Sequence, residues 1–148
     1  MTALANQPGG MLARGVCRYL MAAGLMPLTE FVPEPGLRVD VIALDTRGHV
    51  VIVECKSGLA DFRADAKWCG YRAWCDLFYF AVDAGFPTEV LPADVGVILA
   101  DGWGAEMCRP APPMPLAPAR RRALTLRLAR KAAERLRLAV DPGMMGGP

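Results

Sequence analysis

RVDVIALDTRGHVVIVECKS, residues 38–57, is the stretch whose reading decides the fold. Two runs rich in β-branched residues, 38–45 and 49–56, flank the polar tripeptide Thr46-Arg47-Gly48. A three-residue loop with Gly48 in the left-handed position folds them into an antiparallel hairpin that pairs Asp45 with His49. The numbers of opposed residues then sum to 94, so Asp40 faces Glu54. Opposed residues of an antiparallel ladder point to the same side of the sheet, and Lys56, two positions beyond Glu54, shares that side. The convergence depends on loop length, because a slip of one residue would carry Asp40 to the other face.

Two carboxylates brought face to face repel each other unless a cation lies between them. An oxygen-rich pair with water in the remaining positions suits Mg²⁺ or Mn²⁺. A lysine beside such an ion can offset charge developing on phosphorus or orient an attacking water. Asp40 and Glu54 are therefore the candidate metal ligands, and Asp40, Glu54 and Lys56 the candidate catalytic set for metal-assisted phosphodiester hydrolysis. The plainer reading of the same residues is an ion pair between Glu54 and Lys56 at a strand end, with Asp40 facing Arg38 or Arg72. Two adjacent predicted strands followed at once by a predicted helix favour the centre over the ion pair.

Working outward, residues 11–24 place Leu12, Val16, Tyr19 and Leu20 at helical spacing, with Gly24 as a stop. An extended segment over 28–34 precedes the Pro33–Gly36 turn. Beyond the hairpin a helix is expected over about 58–68, opened by Ser57, then strands near 77–82, 95–100 and 104–109. The proline-rich stretch 111–118 reads as an extended connector, 119–140 as a helix, and 141–148 as a disordered tail. This order predicts one domain over 1–148, with a core at 11–110, built as a mixed α/β sheet flanked by helices.

Composition narrows the function classes. A chain of 148 residues, 53% hydrophobic and 22% charged, is a globular domain long enough for a real core. No apolar run reaches the roughly 20 residues of a membrane span, and the first residues lack signal-peptide order, so a cytoplasmic protein is expected. Five scattered cysteines without CxxC spacing, among apolar neighbours, read as reduced core residues. The single histidine, His49, falls at the hairpin turn, which excludes multi-histidine metal sites and disfavours a histidine-based triad. Net charge is +2, yet residues 1–116 carry −4 and residues 117–148 carry +6, an asymmetry that points to an anionic partner.

The run 38–57 looks like the D-x(n)-E-x-K core of the PD-(D/E)XK nuclease superfamily, with Cys55 as the variable middle residue. Its continuation, GLADFRADAKWCGYRAWCDLFYFAV, closely resembles the MmcB-like DNA-repair endonucleases, and the similarity spans roughly residues 28–110. The resemblance implies a restriction-endonuclease-like core, DNA as substrate, and Asp40, Glu54 and Lys56 as the active-site set. Many members of the superfamily add an acidic residue from the first helix; residues 11–24 hold none, so that role is empty or passes to Glu30 or Glu34. A basic residue on the helix after the hairpin often assists the centre, which makes Lys67 the fourth catalytic candidate. Asp61, Asp65 and Trp68 share one face of that helix, either as a solvated acidic face with a core tryptophan or as part of the site. Tyr71, Trp74 and Tyr79 read as core.

In the last helix Leu126, Ala129, Ala133, Leu136 and Val140 form one apolar stripe, expected to dock on the sheet, with arginines spread opposite. Arg120, Arg127, Arg130 and Lys131 are the candidate DNA-binding residues, since guanidinium matches phosphate oxygens in bidentate fashion; an ordinary solvated face explains them equally well. Two hypotheses follow. The first is a Mg²⁺- or Mn²⁺-dependent DNA endonuclease serving repair. The second is a nuclease-like fold kept as a DNA-binding or partner-binding module with little or no cleavage. Assembly as a homodimer is left open.

Overall fold

The structure, a computed structural model, describes residues 8–145. The chain runs α1 (Pro8–Ala22), β1 (Met26–Glu34), β2 (Leu37–Leu44), β3 (Val50–Lys56), α2 (Leu59–Ala64), α3 (Trp68–Tyr71), β4 (Leu77–Val82), β5 (Gly96–Ala100), β6 (Ala105–Arg109) and α4 (Pro118–Val140). All six strands form one sheet in sequence order, antiparallel at both ends and parallel from β3 through β5. The mixed α/β sheet flanked by helices is the architecture expected, and it is consistent with a restriction-endonuclease-like fold. No helix among the described residues is long and apolar enough to cross a membrane.

The hairpin has the anticipated register. Val41 pairs with Val53, Ile42 with Ile52, Ala43 with Val51 and Leu44 with Val50, each pair summing to 94. The turn closes as Gly48 N–H donates to Asp45 O over 3.2 Å, with Gly48 at φ +84°. A side chain there would force an L-residue into the left-handed region, which glycine occupies without penalty. His49 is exposed on this turn and its Nδ1 lies 2.7 Å from Asp45 Oδ2.

Alternation of side chains divides the core by sheet face. Leu12, Val16 and Leu20 of α1 pack on Val41, Ala43, Val51, Val53, Tyr79, Ala81 and Ile98. On the other face Ile42, Ile52, Phe78, Phe80 and Val97 meet Tyr71, Leu124 and Leu128, with Phe62 and Trp68 edge-on or stacked against Phe78 and Phe80. β3 is buried at every position because both faces are covered.

Four expectations give way. The helix expected over 58–68 is two short pieces, with no cap from Ser57. Asp65, at the break, adopts extended backbone and accepts a hydrogen bond from Lys67 N–H over 2.7 Å, an Asx-type turn that competes with the helix. The outward stripe of α4 is the second correction: Leu126, Leu136 and Val140 are 63%, 67% and 64% exposed, and Leu124 and Leu128 are the buried pair. The helix docks on those two leucines plus the aliphatic stems of arginines whose head groups reach backbone carbonyls, so apolar content alone mislocates the buried face. Third, the tail begins as a 3-10 turn over Pro142–Met145; residues 146–148, like 1–7, lie outside the described residues. All five cysteines are free, and Cys69 and Cys108 are exposed instead of buried.

Candidate functional site

The β2–β3 ladder stops at Val41↔Val53, and beyond it two carboxylates replace main-chain partners. Asp40 N–H donates to Glu54 Oε1 over 2.8 Å, and Cys55 N–H donates to Asp40 Oδ2 over 2.8 Å. Each acid is thus anchored through one oxygen to the backbone beside the other. Alternation also breaks here: Val39 belongs to the α4-side core and Val41 to the α1-side core, although they are two residues apart. The strands therefore fork at Asp40, and the fork holds the two acids together.

Electrostatics at the fork favour a cation. Burial raises the Asp40 carboxyl above its ordinary range against the opposing pull of the Cys55 amide and the Lys56 charge. Burial, then the Asp40 charge, pushes Glu54 up to about 9. Two acids that cannot both ionise at close range without a cation are what a divalent ion would hold as carboxylates. Among the described residues no three His, Cys, Asp or Glu groups gather to cage a metal. A site with two carboxylates and water in the remaining positions is nevertheless the usual holding of Mg²⁺ or Mn²⁺, and the Asp40–Glu54 donor set fits that description.

Lys56 is buried at 6% exposure, and its Nζ lies 2.7 Å from Asp65 Oδ2 and 4.0 Å from Asp61 Oδ1. Burial alone would lower the ammonium; the Asp65 hydrogen bond and the Asp65, Asp61 and Glu54 charges instead hold it above its ordinary value. The same bond keeps Asp65 low despite burial. Tyr71 stands beside these acids, its hydroxyl pushed up to about 12 by burial and then by Glu54, Asp65 and Asp40. The i,i+4 spacing of Asp61 and Asp65 marks them as neighbours but not as partners of Lys56, and nothing near Tyr71 in sequence marks the acids that surround it in the fold.

The other candidates stand apart from the fork. Lys67 Nζ reaches the Gly36 carbonyl over 3.3 Å. Glu30 faces Asp40 by register, since Thr29↔Val41 and Phe31↔Val39 flank it, yet it adopts φ +51° and lines a basic groove beside α4. Glu34 sits at the β1–β2 turn opposite Leu37. Of the α4 residues, Arg127 donates to the Pro33 carbonyl and, over 2.9 Å, to that of Val32. Arg120 donates to the Ala73 carbonyl over 2.9 Å and covers the Trp74 ring. Lys131 pairs with Glu134 over 2.8 Å. Arg130 is exposed in the groove of about 800 Å³ that Arg127, Lys131, Arg135 and Arg137 also line. Arg121, not singled out beforehand, grips buried Asp76 with both terminal nitrogens over 2.6 and 2.5 Å.

Comparison with known proteins places this geometry. The chain is similar over almost its whole length to a solved protein of unknown function from Silicibacter pomeroyi, SPO1766, at 52% identity and a TM-score of 0.91, covering 93% of this chain and 94% of that one. No curated protein matches the chain. The sequence model of one family, described as DNA repair protein MmcB-like, matches residues 5–143. A match of that extent shows that this chain belongs to the MmcB-like DNA repair protein family.

Proposed function

We propose that this protein is a divalent-metal-dependent DNA endonuclease acting in repair, with Asp40 and Glu54 holding the ion and Lys56 beside them. The observation that carries the reading is the fork, where buried Glu54 and half-buried Asp40 are cross-braced by Asp40 N–H and Cys55 N–H with a buried lysine next to them. When bound, Mg²⁺ or Mn²⁺ supplies Lewis-acid polarisation of a phosphodiester and a nucleophilic water at neutral pH. The protein's own share is positional. With Glu54 Oε1 and Asp40 Oδ2 anchored to backbone amides, Asp40 Oδ1 and Glu54 Oε2 are the oxygens that would hold the ion. Lys56, kept charged by Asp65 and Asp61, presents a fixed cation for phosphoryl oxygens. Arg130, Arg137 and Lys131 in the groove beside α4 offer phosphate contacts away from the centre.

One observation favours a second reading, a nuclease-like fold that binds DNA with little cleavage. Lys56 Nζ is engaged by Asp65 at 2.7 Å, and no acid from α1 joins the fork. Calorimetric titration of Mg²⁺ and Mn²⁺ into wild type and Asp40→Ala separates the two. Metal uptake that disappears in the variant, with plasmid nicking that follows it, supports the nuclease. Absence of metal uptake by the wild type sinks it.

A further inference from the structure

Trp103 occupies the β5–β6 turn and is 67% exposed, the joint largest exposure among the large hydrophobic side chains described. Nothing about the turn is loose. Asp101 Oδ1 accepts Trp103 N–H at 2.8 Å and Gly104 N–H at 2.9 Å, and Asp101 N–H donates to Gly104 O at 3.0 Å. The turn is also pressed onto α1. A Cβ on Gly15 would lie 1.8 Å from Asp101 O, and one on Gly102 would lie 2.1 Å from the Met11 methyl carbon.

Two guanidinium groups from α1 flank the indole. Arg14 and Arg18, one helical turn apart, have their Cζ atoms 4.7 and 5.3 Å from the ring centroid. Neither has an acidic partner among the described residues, whereas Arg72 and Arg121 each do. The carboxylate on the turn, Asp101, is tied to the turn's own amides. A rigid, solvent-facing aromatic ring beside two uncompensated cations is the chemistry that stacks a nucleobase and holds its phosphates.

The register of the sheet places this cluster relative to the fork. Lys56 pairs with Val82 and Val82 with Leu99, so one row across three parallel strands runs from Lys56 to the residue just before Ala100. The turn bearing Trp103 therefore leaves the same end of the sheet as the fork. Two strand spacings, about 10 Å, separate Lys56 from Leu99, and the turn bearing Trp103 begins two residues beyond Leu99, on the α1 side of the sheet.

We infer that Trp103, Arg14 and Arg18 form a binding platform for an unpaired nucleobase and its neighbouring phosphates, so that the bound nucleic acid carries a single-stranded segment at this end of the sheet. The inference rests on the nucleic-acid reading above and deepens it. A bare structural role, in which the indole only pins the turn to α1, would affect stability and leave binding unchanged.

The test is fluorescence anisotropy of a labelled oligothymidylate and of a duplex of equal length, in chelator, with wild type, Trp103→Ala, Trp103→Phe and the Arg14→Gln/Arg18→Gln double variant. Trp103→Ala should weaken single-strand binding roughly tenfold, leave duplex binding within a factor of about two, and Trp103→Phe should restore most of the loss. The double variant should flatten the slope of log affinity against log salt by about 1.4, about 0.7 for each phosphate contact on a single strand. Unaltered single-strand affinity in Trp103→Ala, equal losses on both substrates, or no oligonucleotide binding by wild type each overturn the platform. The two proposals fail separately. Trp103-dependent binding without Asp40-dependent metal uptake sinks the nuclease alone, and the converse result sinks the platform alone.

Discussion

Replacing Asp76 with Asn keeps the shape of a buried side chain and removes its charge. Asp76 is 5% exposed and accepts four directional contacts: Val50 N–H at 2.7 Å, Leu116 N–H at 2.9 Å, and both terminal nitrogens of Arg121. Burial would raise its carboxyl, but the Arg121 bonds and then the two amides win and bring it down to about 2. The gap from the ordinary 3.8 corresponds to about 2 kcal/mol of stability at neutral pH. Because the folded value is the lower one, that contribution is present above about pH 4 and is lost as pH falls through about 2. Asp76→Asn should therefore cost about 2 kcal/mol at pH 7, with a further penalty because the Asn NH2 would face N–H donors whose hydrogen bonds the lost oxygen accepted. For a chain of this size each kcal/mol lowers Tm by about 2–4 °C. Urea titrations of wild type and variant at pH 7 and in steps from pH 4.5 to 2 measure it. The two stabilities should converge at the acid end. A variant within half a kcal/mol of wild type at pH 7, or a gap that persists unchanged to pH 2, refutes the assignment.

Two further outcomes follow. Since burial and Asp40 hold Glu54 at about 9 in the metal-free fold, its stability cost grows as pH rises from the ordinary 4.5 towards that value. Glu54→Gln in chelator should accordingly melt at or above wild type at pH 8, with a difference that shrinks towards pH 4.5, while any Mg²⁺- or Mn²⁺-dependent rise in Tm vanishes; a clearly lower Tm at pH 8 counts against the buried-acid account. Gly15→Ala must push α1 off the Asp101 and Gly104 carbonyls, so it should cost about 1–3 kcal/mol as an overpacking change; thermal melts indistinguishable from wild type would mean the helix shifts at no cost.

Most of what positions the fork can be read from residues alone. Thr46-Arg47-Gly48 sets the register because only one loop length lets Gly48 take the left-handed position and keeps Val41, Ala43, Val51 and Val53 on one face. The partner of Lys56 was not legible in the same way. Asp65 reaches it where the helix breaks into an Asx-type turn, a competition that apolar periodicity does not mark. The buried face of α4 misled for another reason. Leu126, Ala129, Ala133, Leu136 and Val140 form the more apolar row, but Arg121, Arg127 and Arg135 find acceptors only on the opposite side, and directed hydrogen bonds outweigh a modest apolar gradient. Trp103 is a single aromatic in a turn, without periodicity to mark it; its two arginines lie about 90 residues away in sequence and meet it only in the fold.

The arginines of α4 have a consequence of their own. β1 ends the sheet, and a terminal strand offers its unpaired carbonyls as a template for any passing extended chain. Here Arg127 takes the carbonyls of Val32 and Pro33, and Arg135 takes those of Thr29 and Glu30. Pro27 and Pro33 withhold two amides from the same strand. The basic helix thus serves as a guard along an exposed border, and detaching it should show as protein lost from solution.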